Sequence, residues 1–373
     1  MNNPILIALL ALNINGSLIF AQSAPPLLQQ ARELYQQEDF AAALPLTEQI
    51  IVYYQNKPDF LPDSLAVYYQ LLGDVQYQLR EFAAADSAYV QSQIFLEDKY
   101  GEQHVTIARI YKKRGSMQLN GAHDFKKAKE LQEQSITILR AIHYEDSTLL
   151  ADALGALAIT NLYLQELPAA EEQLRAAERI YLAQPKIDTI SLGFCYENLS
   201  ACYNLMSKTL QSERAMLQAM AYYQAILSDK DPRMIKFYGN IAFTFQHAGN
   251  FTLAKQYHEQ ALNLRLEKHG TPNTGVAISY INLGYFYSVV KQGRLAIQNY
   301  EKGLAALPTK NRSLNILGIL YNNLGQAYGI IGDINRQIEY YKLAIKTLGE
   351  QYGLEHIKLA PRYNNLGMSL IAN

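Results

Sequence analysis

A sequence pattern that returns every 42 residues is the feature that most constrains this chain. Its clearest copies begin with asparagines that are 42, 42, 41 and 42 residues apart: NLSACY at 198–203, NIAFTF at 240–245, NLGYFY at 282–287, NLGQAY at 323–328 and NLGMSL at 365–370. Weaker copies lie upstream: LLGDVQ at 71–76, KRGSMQ at 113–118 and ALAITN at 156–161. Such regular spacing indicates a repeat protein, in which each unit buries its apolar face against its neighbours.

Each unit also contains a second block whose apolar residues recur at three- and four-residue intervals, as in FTLAKQYHEQAL at 251–262. This is helical periodicity, so each unit predicts two amphipathic helices joined by a short turn. Gly249 and Gly332 mark two of these turns. Gly101, Gly270 and Gly353 follow second blocks and are predicted to end them, because glycine adopts left-handed backbone conformations without steric cost.

These residues resemble the tetratricopeptide repeat, in the 42-residue form typical of kinesin-light-chain-like proteins. The resemblance depends on an aromatic residue, Leu-Gly and a second aromatic in the first helix, then an aromatic and a small residue in the second: Tyr321, Leu324, Gly325, Tyr328, Tyr341 and Ala344. Tyrosine stands where the family usually has tryptophan, in keeping with 28 Tyr and no Trp. The third repeat departs from the pattern at Lys113 and Arg114. We therefore expect local irregularity there, with an extra residue in the turn at 120–123.

The resemblance implies an all-α fold, a right-handed superhelical solenoid whose concave face is lined by the first helices. About eight helix-turn-helix repeats are predicted over residues 23–355, starting near 24, 66, 108, 151, 193, 235, 277 and 318. Residues 356–373 are predicted to form one terminal helix, either a cap or a truncated ninth repeat.

Residues 1–22 predict a secretory signal peptide, because apolar stretches at Ile5–Leu12 and Leu18–Phe20 lead to a small residue, Ala21. The chain would then be exported, to the periplasm or outside the cell, and the mature part would hold no transmembrane segment. The alternative is an N-terminal extension of a cytoplasmic protein, since no Lys or Arg precedes the apolar stretch and polar residues interrupt it.

Composition and motifs argue against most chemistry. With 33 basic and 34 acidic residues, the net charge of −1 gives no general attraction to nucleic acid. Phosphate-binding loops and G-x-S-x-G are absent from the sequence, and HEQAL at 258–262 lacks the second histidine of a zinc-protease helix. Cys195 and Cys202 would lie about 10 Å apart along a helix, too far for a disulfide. We therefore expect a protein that is not an enzyme and that binds no metal or cofactor.

The recurrent asparagines are the first candidate binding residues. At about 100° per residue, Asn323 lies roughly 150° from the centre of the apolar stripe of its helix and so points away from the helix-pair core. Its counterparts would form a ladder of amides, each offering a donor and an acceptor to a peptide backbone: Asn198, Asn240, Asn282, Asn323 and Asn365. Phe243, Gln246, Tyr285 and Gln326 are predicted to supply side-chain pockets in the same groove. The alternative is that the amides bond to neighbouring helices or to water.

A second candidate is the basic cluster of Arg109, Lys112 and Lys113. Arg109 and Lys113 are four residues apart and therefore on one side of a helix. The cluster is predicted to hold an acidic side chain or a C-terminal carboxylate of a partner. The alternative is an ordinary solvated surface.

The sequence thus favours a scaffold that binds an extended peptide or protein segment in its groove, with a protein or peptide partner. One alternative is the sensor or regulatory region of a larger or partnered signalling protein whose effector lies elsewhere. Another is an enzyme with an unfamiliar site, which would require a cleft of strongly shifted pKa values.

Overall fold

The computed structural model describes residues 26–55, 62–144, 147–310 and 312–371. The predicted signal peptide, residues 1–22, lies outside the described residues. Within the described part the regular elements are 17 α-helices, one π-helical turn and one 3₁₀ turn. The chain divides into two compact units, Met1–Met206 and Ser207–Asn373, which are described separately.

The first unit consists of successive antiparallel helix pairs followed by one further helix. Within each pair the first helix contacts the second, and each second helix contacts the first helix of the next pair. The helices are α1 (Pro26–Gln36), α2 (Phe40–Gln55), α3 (Pro62–Gln78), α4 (Phe82–Tyr100), α5 (Val105–Met117), α6 (Phe125–Ala141), α7 (Thr148–Tyr163), α8 (Leu167–Ala183) and α9 (Thr189–Leu205).

The second unit continues the same alternation. Its first helices also contact one another, α11 with α13 and α13 with α15. The helices are α10 (Thr209–Gln224), α11 (Pro232–His247), α12 (Phe251–His269), α13 (Thr274–Val289), α14 (Gly293–Ala306), α15 (Leu314–Ile330), α16 (Ile334–Tyr352) and α17 (Ala360–Ile371). The predicted all-α architecture of two-helix units is confirmed.

The core of a pair is built around a glycine of the first helix and a tyrosine of the second. A Cβ added to Gly284 would lie 2.5 Å from the ring of Tyr300, and that ring is fully buried. The same close approach joins Gly73 to Tyr89 and Gly325 to Tyr341. A larger residue at this glycine position would displace the tyrosine ring. The glycine of the Leu-Gly motif is therefore required for packing.

The turn inside each pair contains one residue in the left-handed region, at intervals of 41 to 43 residues along the chain. Glycine supplies it at Gly249 and Gly332, as the sequence predicts, with φ of 80° and 81°. The other pairs use residues with side chains, Glu38, Arg80, His123, Gln165 and Lys291, and the same conformation occurs at Ser207, where the second unit begins. Gly101, Gly270 and Gly353 end α4, α12 and α16 with positive φ, which confirms the predicted helix ends.

The irregularity predicted in the third repeat is confirmed as a π-helical turn over Gln118–Ala122 at the end of α5. The left-handed turn residues Arg80 and His123 are 43 residues apart across this repeat, one more than the usual period. A π-turn holds one extra residue in a helix, so it absorbs the insertion locally.

Both cysteines are buried and neither forms a disulfide. Burial raises the pKa of the Cys195 thiol to about 12. A thiol that is buried and protonated is inert, in agreement with a packing role.

Candidate functional site

The recurrent asparagines of the second unit lie at equivalent places on successive first helices. Asn240, Asn282 and Asn323 belong to α11, α13 and α15, and Asn365 belongs to α17. All four side chains are partly exposed. They therefore share one face of the unit, formed by its first helices, which we call the amide face.

At one end of the amide face the amides bond to one another across helices. The Asn365 amide nitrogen donates to the Asn322 side-chain oxygen over 3.2 Å, and the Asn322 amide nitrogen donates to Asn323 over 3.3 Å. This is the behaviour expected of the alternative in which amides bond to neighbouring helices. Asn282, half-buried in α13, makes no side-chain hydrogen bond within the described part of the chain.

A second row of predicted residues lies three positions further along the same helices, and therefore on the same side of each. The rings of Phe243 in α11 and Tyr285 in α13 contact each other at 6.2 Å between centroids. Tyr285 is 39% exposed, and Gln326 in α15 is also exposed. The ring contact places residues of two successive repeats on one continuous surface.

Gln246 is more deeply buried than the predicted role in a groove pocket requires. It is buried, and its side-chain oxygen has no hydrogen-bond partner among the described residues. Nearby, His258 of α12 is 2% exposed and packs against the rings of Phe243 and Phe286. Burial lowers the pKa of His258 to about 4, so the imidazole is neutral at physiological pH.

Asn198 belongs to the first unit and differs from the other recurrent asparagines. It is 4% exposed, and its amide nitrogen donates to the Phe194 carbonyl one turn earlier in α9 over 2.8 Å. Little of this side chain is available to a ligand.

Three first helices of the first unit, α3, α5 and α7, carry paired charged residues. Lys113 of α5 pairs with Asp74 of α3 at 2.7 Å, and Lys112 of α5 pairs with Asp152 of α7 at 3.0 Å. The predicted basic patch is therefore largely neutralised by aspartates of the neighbouring repeats. Arg109 remains exposed on α5.

Each of these aspartates also accepts a hydrogen bond from a tyrosine of its own helix pair. The Tyr89 hydroxyl donates to Asp74, and the Tyr181 hydroxyl donates to Asp152, both over 2.6 Å. Burial and the neighbouring carboxylate raise the pKa of both phenols well above the ordinary value, so they remain protonated donors. Two tyrosine–aspartate–lysine groups thus connect α3, α5 and α7.

A third ionic group lies in the same unit around Asp86 of α4. Arg114 donates to it over 2.9 Å and Lys127 over 2.7 Å. Although burial raises the pKa of Asp86, the hydrogen bonds from Arg114 and Lys127 outweigh it and hold that pKa below the ordinary value. Together with the two tyrosine–aspartate–lysine groups it forms what we call the ionic network.

Sequence reasoning missed the acidic partners of these lysines. The signal was present, because opposite charges stand 39, 40 and 41 residues apart, about one repeat, in the three lysine–aspartate pairs. Residues one repeat apart on helices of the same kind are neighbours in a stacked array.

No group of His, Cys, Asp and Glu suited to a metal ion occurs in the described ranges. None of the helices in the described ranges has the length and hydropathy of a membrane-spanning segment.

Residues 233–309, which span α11 to α14 and include Asn240, Phe243, Asn282 and Tyr285, match the tetratricopeptide repeat family. No curated protein sequence matches the chain.

Solved structures with a similar fold include three proteins of low sequence identity. The apo form of the quorum sensor NprR from B. thuringiensis has a TM-score of 0.64 at 14% identity, covering 86% of this chain and 86% of that one. BtubC (BKLC) from P. vanneervenii has a TM-score of 0.53 at 20% identity, over 61% of this chain and 92% of that one. A tetratricopeptide repeat protein from Parabacteroides merdae ATCC 43184 has a TM-score of 0.53 at 14% identity, over 81% and 97%. The fold is therefore an all-α helical-repeat solenoid.

Proposed function

We propose that this chain is a non-enzymatic interaction scaffold that holds an extended peptide or protein segment against the amide face. The observation that carries the proposal is the contact between Phe243 and Tyr285. It joins two successive repeats into one surface, and that surface lies within the segment that matches the tetratricopeptide repeat family.

The chemistry of the amide face suits a peptide main chain. An asparagine amide donates and accepts, which matches the carbonyl and N–H groups of an extended segment. Asn282 is the best placed for this role, because its amide is partly exposed and makes no side-chain bond to the described residues. Tyr285, three residues later, offers an exposed ring with a polar tip, a residue type that is frequent among binding hot spots.

The ionic network is less suited to hold a ligand by charge. An acidic group that approached Lys112 or Lys113 would compete with Asp152 or Asp74, each of which also accepts a bond from a buried tyrosine. Breaking such a partly buried ion pair leaves a charged group without its partner. The contacts made by a new ligand would have to outweigh that free-energy cost. Capture of an acidic segment by Arg109, Lys112 and Lys113 is therefore a secondary element of the proposal.

The test is a selection of binders from a displayed library of random peptides against the intact chain. The selected peptides are then measured by fluorescence anisotropy against Asn282→Ala, Tyr285→Ala and the double variant. We expect the double variant to weaken binding at least about tenfold, the effect of losing roughly 1.4 kcal/mol. The control is Asn263→Ala, an exposed asparagine on α12, the second helix of its pair.

Unchanged affinity in the double variant would remove the amide face from the proposal. Affinity lost instead in a Lys112→Ala, Lys113→Ala variant would assign the peptide to the ionic network. Peptides that bind the chain only when a second protein is added would favour the alternative in which this chain is the sensor region of a partnered signalling protein. Export belongs to the proposal as well, and N-terminal sequencing of the chain from fractionated cells tests it.

A further inference from the structure

Two buried polar atoms in the pair of α11 and α12 have no hydrogen-bond partner among the described residues. They are the side-chain oxygen of Gln246 and Nε2 of His258. The two side chains are only 5% and 2% exposed. Buried polar atoms are nearly always paired, because an unpaired one costs free energy, so these two require an explanation.

The next repeat shows that these two positions face each other. Gln246 and His258 stand 42 residues before Ser288 and Tyr300. In that repeat the hydroxyl oxygens of Ser288 in α13 and Tyr300 in α14 lie 3.3 Å apart. Gln246 and His258 hold the equivalent places in α11 and α12, so their polar ends are directed into the same part of their helix pair.

The pair of α11 and α12 differs from its neighbour at three matched positions. Tyr300 packs on Gly284, whereas the equivalent residues His258 and Ala242 are an imidazole and a fully buried methyl group. An imidazole is shorter than a phenol and carries no hydroxyl. Between the two helices these residues therefore present a carbonyl oxygen and a ring nitrogen, but no hydroxyl group of their own.

An aromatic residue of the amide face connects this buried pair with the surface. The His258 ring meets Phe243 edge-on at 5.3 Å between centroids, and Phe243 also contacts Tyr285 of α13. Gln246 follows Phe243 by three residues, on the same side of α11. Phe243 is itself partly exposed. Gln246 and His258 thus lie one side chain below the amide face.

The surroundings suit a neutral ligand group. Burial lowers the pKa of His258 to about 4, so the imidazole is uncharged at neutral pH, and its ring neighbours are Phe243 and Phe286. A carboxylate placed here would lose its hydration without meeting a cation. A hydroxyl group can satisfy both atoms, because it donates to the Gln246 oxygen and accepts from the N–H of a neutral imidazole.

We propose that Gln246 and His258 recognise a hydroxyl side chain, from serine, threonine or tyrosine, of the segment that binds the amide face. The side chain enters beside Phe243, and its hydroxyl takes the place that the Tyr300 hydroxyl holds one repeat later. This inference rests on the proposed function, because the ligand reaches the two atoms from the amide face. It adds the chemical class of one residue of the partner.

The first test uses the peptides selected against the intact chain, which we expect to share a hydroxyl residue at one position. Each is compared by fluorescence anisotropy with a matched peptide that lacks only that oxygen, with valine for threonine, alanine for serine or phenylalanine for tyrosine. We expect the missing oxygen to weaken binding at least about tenfold, because it leaves the two buried atoms unpaired.

Two chain variants separate recognition from packing. Gln246→Met keeps the length of the side chain and removes the acceptor. The triple variant Ala242→Gly, Gln246→Ser, His258→Tyr copies the residues of the α13–α14 pair, so it has a packing arrangement that this chain already uses, and it supplies its own hydroxyl. In both variants we expect the two matched peptides to bind within about twofold of each other. The control is Gln256→Met, which changes an exposed glutamine of α12 and should keep the full difference.

A direct readout is the nitrogen NMR signal of His258 Nε2, identified by its absence from the triple variant. At saturation we expect this signal to move with the hydroxyl peptide and to stay in place with its matched peptide. A purely structural role of His258 would give the same signal with both.

The outcomes separate this inference from the proposed function. Peptides that lose affinity in the Asn282→Ala, Tyr285→Ala variant but bind equally with and without the hydroxyl would overturn the hydroxyl site alone. So would a difference that persists in Gln246→Met and in the triple variant. Absence of selected peptides, or peptides unaffected by the double variant and by Gln246→Met, would overturn both.

Discussion

The two units build the same helix pairs and present different first-helix surfaces. In the first unit, α3, α5 and α7 are connected by lysine–aspartate pairs with tyrosine hydroxyls behind them. In the second, α11, α13 and α15 present asparagines and aromatic rings. The first surface largely satisfies its own charges, whereas on the second the half-buried Asn282 amide makes no side-chain hydrogen bond to the described residues. Side chains on this face therefore vary without altering the fold.

The cores, by contrast, are interchangeable. Tyr89 fills the space beside Gly73 in the first unit as Tyr300 fills that beside Gly284 in the second. The close glycine–tyrosine contact determines how a pair packs, since one added methyl group disturbs an interior of this density. The surface difference is thus a difference in electrostatics, and three changes test it.

The largest effect is expected from Asp86→Ala in the ionic network. The side chains of Asp86 and Arg114 are only 14% and 12% exposed, so the substitution leaves a nearly buried guanidinium without its carboxylate. We expect a loss of about 3 kcal/mol in the free energy of opening of α4 to α6. Hydrogen exchange followed by mass spectrometry reports that free energy segment by segment.

The control for this substitution is Glu130→Ala, which changes an exposed acidic residue of α6.

The contribution of Asp86 to stability also depends on pH. Because the pKa of Asp86 in the folded state is below its ordinary value of 3.8, that contribution is complete above pH 3.8. It is lost as the pH falls through the folded value. Equal protection of α4 to α6 in Asp86→Ala and Glu130→Ala would show that the ionic network contributes nothing to stability.

Acid should affect the second unit before the first, because of His258. The imidazole has an ordinary pKa of 6.5 and a folded pKa of about 4, lowered by burial. Between these values the unfolded state binds the proton and the folded state does not, so stability falls as the pH drops from 6.5 to about 4. The loss is on the order of 3 kcal/mol.

His258→Leu should abolish this loss in α11 to α13, as measured by hydrogen exchange across the same pH range. His247→Leu, which changes an exposed histidine of α11, is the matched control. If the acid effect persists in His258→Leu, another group makes the second unit acid-sensitive. The difference in acid sensitivity between the units could then not be assigned to His258.

The smallest effect is expected from Lys112→Ala. Lys112 and Asp152 are 21% and 32% exposed, so their ion pair is partly screened by solvent. We expect a loss below about 1 kcal/mol, and a smaller loss at high salt. Asn282→Ala should leave stability unchanged at either salt concentration, by the same hydrogen-exchange measurement. A salt-dependent loss in Asn282→Ala would contradict the assignment of charge to one unit and amides to the other.

The sequence predicts the parts of the fold that depend on periodicity. Leu-Gly in the first helix and an aromatic residue in the second identify the core contact, as at Gly325 and Tyr341. Turn positions are harder to predict from the sequence. Lys291 adopts the same left-handed conformation as Gly249, although lysine has no preference for that conformation. Only the repeat interval marks such a turn.

The candidate site could be predicted only in part, because angular position on a helix does not determine burial. Asn198 and Asn282 hold equivalent places in the pattern, yet one is 4% exposed and the other partly exposed. Gln246 lies three residues after Phe243, on the same side of α11, and is buried. Exposure depends on neighbouring side chains, which periodicity alone does not specify.

The π-helical turn at Gln118–Ala122 has a consequence for how this chain tolerates inserted residues. An extra residue inside a regular helix would rotate everything after it by about 100° and turn buried faces towards water. Here the residue is taken up in a single widened turn just before α6, and Ala128 of that helix is still fully buried. In the next pair of the same unit, Ala170 of α8 is likewise fully buried. The end of a first helix is thus a place where a repeat can gain a residue without a change in which face of the next helix is buried.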